Sequence, residues 1–197
     1  MTGRLIALLI LCLSVPALTG AALPPPRPDA GIGVLIIGTG AAAPAAGQRL
    51  LLYREPGIGR IGERDVAKLP HLPVGKRSSL GGVCLAVLAK RGEWLSIAHD
   101  DAGRSAWVER ERGWDYLTWE EFLPGKHARL MKGLRKTLLV ARSGPEEHAA
   151  EVLQLTPERP FRIIQVEGDA AQVLVDLSVL GWIRWRDGDG RLLIVLE

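Results

Sequence analysis

The feature that most constrains this chain is internal duplication. The stretch Cys84 to Thr118, CLAVLAKRGEWLSIAHDDAGRSAWVERERGWDYLT, has a second version from Phe161 to Ile194, FRIIQVEGDAAQVLVDLSVLGWIRWRDGDGRLLI. Each copy opens with an apolar run and an acidic glycine turn (Arg91-Gly92-Glu93; Glu167-Gly168-Asp169). An alternating run follows, then a small residue, Trp and a β-branched residue (Ala106-Trp107-Val108; Gly181-Trp182-Ile183). A charged glycine turn and a last apolar strand close each copy. Trp107 and Trp182 lie 75 residues apart and Gly92 and Gly168 lie 76 apart, so the register holds to within one residue. Period-2 alternation broken by Gly/Asp turns is the pattern of short antiparallel strands. Two copies make a tandem repeat of a small β domain.

At 197 residues the chain accommodates two such domains. Domains of that size bury modest cores, so each is expected to lean on the other. The net charge of +3 is spread over interspersed charges of both signs, an ordinary solvated surface that does not point to nucleic acid. The N-terminus reads as a signal peptide. Arg4 supplies the positive region, Leu5 to Leu13 the apolar core, and Thr19-Gly20-Ala21 or Gly20-Ala21-Ala22 the small-x-small cleavage site. The expected product is periplasmic or secreted, with no membrane contact beyond the signal sequence. The alternative is a retained anchor, since Leu5 to Leu23 gives 19 mostly apolar residues. Cys12 lies in the leader, so cleavage leaves Cys84 alone and no intrachain disulfide can form.

Leu23 to Asp29 is rich in proline and reads as an extended spacer. Gly33 to Ala43, GVLIIGTGAAA, then imitates a dinucleotide fingerprint, a buried-looking strand feeding G-x-G-x-x-A. Three features weigh against a nucleotide-binding enzyme built on the Gly38 to Ala43 loop. Pro44 and Gly47 would fall inside the required helix. Glu55 follows Gly38 by 17 residues, short of the usual spacing of about 20. No alternation of strands and helices follows. The segment is instead expected to be an edge strand or linker. Arg49 to Arg54 reads as the first strand of repeat one, with Thr137 to Arg142 as its counterpart. Repeat one carries an extra loop, Pro70 to Ser79, where repeat two has only Leu155 to Pro160. Thr118-x-x-Glu121 is a capping-box signature for a short helical turn, and Lys126 to Gly133 reads as a basic linker.

First strand, turn-rich gap, Gly92-Glu93-Trp94-Leu95-Ser96-Ile97 and Ala106-Trp107-Val108 together resemble the bacterial SH3-like (SH3b) repeat. The likeness covers roughly Arg49 to Thr118 and Thr137 to Ile194. Repeat two departs from it at Ala170, where repeat one has Trp94. The resemblance implies an all-β chain of two small, five-stranded, partly open SH3-like barrels in tandem. It also implies a non-catalytic role at the cell envelope, binding a peptide, a peptidoglycan fragment or a protein partner. The expected organisation is a signal peptide at residues 1–22 and a Pro/Ala/Gly-rich segment with one edge strand at 23–48. The first domain spans 49–123, a linker 124–136 and the second domain 137–197.

No reaction chemistry is expected. Cys84 sits in an apolar run, where a free cysteine acts as a small core residue. The histidines at 71, 99, 127 and 148 share no zinc-ligand spacing, and Asp187-Gly188-Asp189-Gly190 lacks the further acids of a calcium loop, so neither metal nor cofactor is expected. Both that segment and Asp100 to Gly103 read as turns. Six Trp against two Phe and two Tyr point elsewhere. Trp107 and Trp182 recur at matching positions, which reads as a core role. Tyr53, Trp94, Trp114, Trp119 and Trp185 do not recur and are the candidate ligand-binding residues, the alternative being a purely structural subunit whose aromatics pack domains together. Binding is expected in repeat one, with a shallow groove at Ala170 of repeat two.

Overall fold

A computed structural model of the chain describes residues 30–38, 47–72 and 82–197. The leader, residues 39–46 of the glycine-rich segment and residues 73–79 of the Pro70–Ser79 loop lie outside the described residues.

Nearly all the regular structure is strand. The first half carries β1 (Gly33–Ile37), β2 (Arg49–Glu55), β3 (Ile58–Asp65), β4 (Val83–Arg91), β5 (Trp94–Ala98), β6 (Ser105–Glu109) and β7 (Asp115–Thr118). A helical turn, α1 (Trp119–Phe122), separates these from β8 (His127–Leu130), β9 (Val140–Arg142), β10 (Glu151–Gln154), β11 (Phe161–Glu167), β12 (Ala170–Val175), β13 (Val179–Arg184) and β14 (Ile194–Leu196). They form two seven-stranded antiparallel sheets, ordered β3-β2-β6-β5-β4-β1-β7 and β10-β9-β13-β12-β11-β8-β14. Adding seven to each number in the first order gives the second.

The duplication extends to the register. Ser96 pairs with Trp107 as Gln172 pairs with Trp182, and Trp94 with Glu109 as Ala170 with Arg184. One extra residue shifts the β4–β5 ladder between Val87 and Ala89, and the β11–β12 ladder shifts between Ile163 and Gln165, the same place in each copy. A bulge bends a strand and deepens its twist, so each sheet curls at the same point. Trp107 and Trp182 thus stand on equivalent elements. Tyr53 faces Trp107 as Arg142 faces Trp182, so its counterpart is Arg142.

Two boundaries differ from the expectation. β1 is no edge strand: it pairs with β4 on one side and β7 on the other, and all five residues are buried. Its lack of alternation has a physical cause, since both faces are covered. Leu35 and Ile37 enter one apolar core with Leu50, Leu52, Leu85, Val87, Leu95 and Ile97. Val34 and Ile36 enter the other, with Trp119, Phe161, Val173 and Trp185. β4 divides the same way, Leu85 and Val87 facing the first core and Cys84 the second. The presumed linker is also structural: its Ala128 and Leu130, on β8, point into the second core. Among the described residues each repeat therefore holds seven strands, not five.

β1 and β4 form a wall with a core on each side, and the second core is built from both repeats. The turn α1 closes that core from above. Thr118 accepts a hydrogen bond from the Glu121 backbone N–H, and the Glu121 carboxylate accepts one from the Thr118 backbone N–H, completing the capping box. This fixed entry drives Trp119, Phe122 and Leu123 down between the repeats, all of them buried.

Candidate functional site: two clefts at matching seams

β2 and β6 lie side by side but pair in register only at Tyr53 and Trp107. β9 and β13 likewise pair only at Arg142 and Trp182. Each seam carries a surface cleft. The repeat-one cleft, about 320 Å³, is walled by Leu51, Tyr53, Val108, Glu109, Arg110 and Trp114. The repeat-two cleft, about 270 Å³, is walled by Val140, Arg142, Glu146, Glu147, Ala170 and Trp182. The two clefts are similar in volume, against the expectation of a shallow groove at Ala170. Trp94 occupies its position in repeat one with a large ring, whereas Ala170 leaves that volume open.

The five candidate aromatics separate into two groups. Tyr53 and Trp94 are half-buried and meet edge to face, ring centroids 5.2 Å apart. Tyr53 lines the repeat-one cleft together with Trp114, which is buried in the first core, whereas Trp94 lies outside the cleft wall. Trp119 and Trp185 have no exposed surface. Their indole N–H groups donate to the carbonyls of Gly31 and Gly168, each at 3.0 Å, so both rings are committed to the interior. They offer nothing to a ligand.

Trp107 and Trp182 are each 9 % exposed yet join neither apolar core. On their strands Val108 and Ile183 face inward, so both indoles lie on the outer side of the sheet. The Arg91 guanidinium covers Trp107, 5.1 Å from the ring centroid, and is held there by Glu55 at 3.1 Å. The recurrence that read as a core signal is thus a recurrence of an outer-face ring.

Other reactive groups do not converge on either cleft. Cys84 is buried within the wall between the cores, and burial pushes its thiol above the ordinary range. His99 is nearly enclosed at the end of β5, its Nδ1 without a hydrogen-bond partner and 3.9 Å from Asp100. The Asp100 carboxyl is held below the usual range, first by the Arg104 backbone N–H and then by the Arg104 side chain. Asp187 accepts from the backbone N–H groups of Asp189 and Arg191, a turn closing on itself. β1 runs antiparallel to both neighbours, so the strand before Gly38 lacks the parallel crossover that a dinucleotide loop serves.

These geometries define a class, a tandem all-β protein in which, among the described residues, each repeat carries a surface cleft at the matching seam. No protein-family model matches the chain, and no curated protein matches it.

Proposed function

We propose that this protein is an exported, non-catalytic binding protein of the bacterial envelope, built from two SH3-like units. Its repeat-one cleft holds an extended peptide, the peptide part of a wall fragment or a segment of a partner protein. The observation that carries this reading is the cleft of Tyr53 and Trp114 lying one strand from a free sheet edge. Among the described residues β3 ends its sheet, and its side chains of Ile58 (71 % exposed) and Ile61 (50 % exposed) face solvent. An edge strand offers unpaired backbone groups to an extended segment, and neighbouring aromatic rings supply contact area at little cost in side-chain entropy. The leader, with Arg4, an apolar run and Thr19-Gly20-Ala21, supports export.

The test uses the secreted form. Intact mass should give a chain starting just after Ala21 or Ala22. That protein should co-sediment with isolated sacculi or bind soluble stem peptides saturably. Tyr53→Ala and a charge placed on the edge, Ile61→Lys, should each weaken binding at least fivefold while leaving the melting temperature within a few degrees. A chain retaining its first methionine in the membrane fraction overturns export. Absence of saturable binding to both ligands overturns the envelope role.

A further inference from the structure

Repeat one contains, in its own residues, a clamp for a cation. Arg91 lies over the face of Trp107 while its guanidinium pairs with Glu55 at the end of β2. Ring and carboxylate hold the charge from two sides, the ring through its negative face and the acid through a charge-assisted hydrogen bond. Trp94, paired in register with Arg91, meets Tyr53 edge to face beside it.

The same register identifies every counterpart in repeat two. Trp182 replaces Trp107, Ala170 replaces Trp94 and Glu167 replaces Arg91. The ring is kept. The cation is exchanged for an acid, and the large neighbouring side chain is cut to a methyl group. The carboxylate is not kept in register, since Gly144 stands where Glu55 does, but the loop after β9 supplies two others by placing Glu146 and Glu147 on the cleft wall. Among the described residues no cationic group lies over Trp182, and no basic side chain pairs with Glu146 or Glu147. The two arginines lining this cleft are engaged elsewhere. Arg142 donates to the Ala149 carbonyl at 2.9 Å and approaches Glu151 at 3.4 Å, while Arg184 approaches Asp169 at 3.3 Å.

We infer that the repeat-two cleft takes a basic side chain from a partner peptide, an arginine for preference, seated over Trp182 and neutralised by Glu146 and Glu147. Arginine suits the site better than lysine because its planar group stacks on an indole and can hydrogen-bond a carboxylate at its edge. The cleft of about 270 Å³ accommodates one such side chain with its aliphatic stem against Val140 and Ala170. This site is separate from the repeat-one cleft and recognises different chemistry. It stands or falls independently of the envelope role.

The probe is a blocked pentapeptide, Gly-Gly-Arg-Gly-Gly, compared with versions carrying lysine or neutral citrulline. Binding is followed by the indole N–H resonance of Trp182, assigned with Trp182→Phe. The arginine peptide should shift that resonance saturably, with the lysine peptide severalfold weaker and the citrulline peptide at least tenfold weaker. Affinity should fall as salt rises. Glu146→Gln with Glu147→Gln, both exposed and so compatible with folding, should weaken the arginine peptide at least fivefold. Ala170→Trp, which restores the side chain found at this place in repeat one, should abolish binding. Tyr53→Ala should leave it unchanged. Equal binding of the citrulline peptide, or undiminished binding to Ala170→Trp, overturns the inference. If blocked free arginine binds as tightly as the peptide, the peptide source is overturned and the site is one for small cations.

Discussion

Trp119 and Trp185 lie with ring centroids 6.2 Å apart, each fully buried, one from each repeat. Arg186 spans the same junction, its guanidinium 4.8 Å from the Trp185 ring and approaching Glu120 of the other repeat at 3.9 Å. The isolated bridge between Ala30 and Arg191 ties the chain just before β1 to the second repeat. Gly31 is needed here. Its φ of +121° suits glycine, and a Cβ would come within 2.2 Å of the Val87 carbonyl oxygen. The duplicated halves are therefore welded at a tryptophan pair that the duplication itself does not supply.

Trp185→Ala should accordingly destabilise the protein by about 3–5 kcal/mol, the range for removing a buried aromatic ring. Because the second core includes β1 and α1 side chains, both repeats should unfold together. Urea unfolding followed by far-UV circular dichroism and by tryptophan emission should give coincident transitions. Two separated transitions, with one repeat keeping its stability in the variant, would show independent domains.

The duplicated strands were legible in the sequence because their alternation and acidic glycine turns are local signals. So was the capping box at Thr118, a pattern of four residues. β1 was misread because a run buried on both faces carries no alternation, and a glycine-rich turn after it imitates another fold. β8 was misread because His127 and Arg129 point outward between Ala128 and Leu130, and four residues are too few to separate alternation from a basic linker. The sites were legible in part. Tyr53 and Trp114 do line one cleft, with Trp94 against Tyr53, but nothing local distinguishes them from Trp119 and Trp185, whose burial depends on contacts across the repeats. The repeat-two cleft was missed although its signal was present. Ala170 in place of Trp94 read as the loss of a binding surface, when removing a ring also opens the space beside Trp182.

Cys84 offers a reporter of the wall between the cores. Burial raises its thiol pKa, so at neutral pH the reactive thiolate is scarce and access is closed. In a protein produced without residues 1–22, and so without Cys12, labelling by a thiol reagent should be negligible without denaturant. It should rise along the same urea curve as the loss of circular dichroism. Rapid labelling of the native protein would show that the wall opens locally.

Arg159 and Asp176 give a pH signature. The guanidinium donates to Asp176 with Nε at 3.1 Å, and this hydrogen bond holds the carboxyl below its usual range. A carboxyl depressed in the folded state contributes stability above its unfolded pKa of about 3.9. That contribution is lost as pH falls through the folded value. Arg159→Gln should therefore melt slightly below the parent at pH 7, with the gap closing as pH falls below about 4 and through the lowered folded value. The pair is exposed, so the gap is small. A difference that persists undiminished at the lowest pH would assign the effect to the arginine's packing.

The hairpin joining β12 to β13 carries a non-glycine residue at each central position of its turn. Asp176 and Leu177 have φ of 48° and 57°, and the Ser178 N–H donates to the Val175 carbonyl at 3.1 Å. Positive φ at both places is the pattern of a type I′ turn, whose preferred pair is Asp-Gly or Asn-Gly. Leucine gains nothing there, since it is 87 % exposed, and the left-handed region costs a residue with a Cβ roughly 1–2 kcal/mol. Leu177→Gly removes that cost, and the greater freedom of glycine in the unfolded chain returns part of it. The expected net gain is about 0.5–1 kcal/mol, a rise of roughly 2 °C in melting temperature for a chain of this size. Leu177→Ala keeps the Cβ and should give no such gain. If the glycine variant melts lower than the parent, the leucine side chain is making contacts that outweigh the strain.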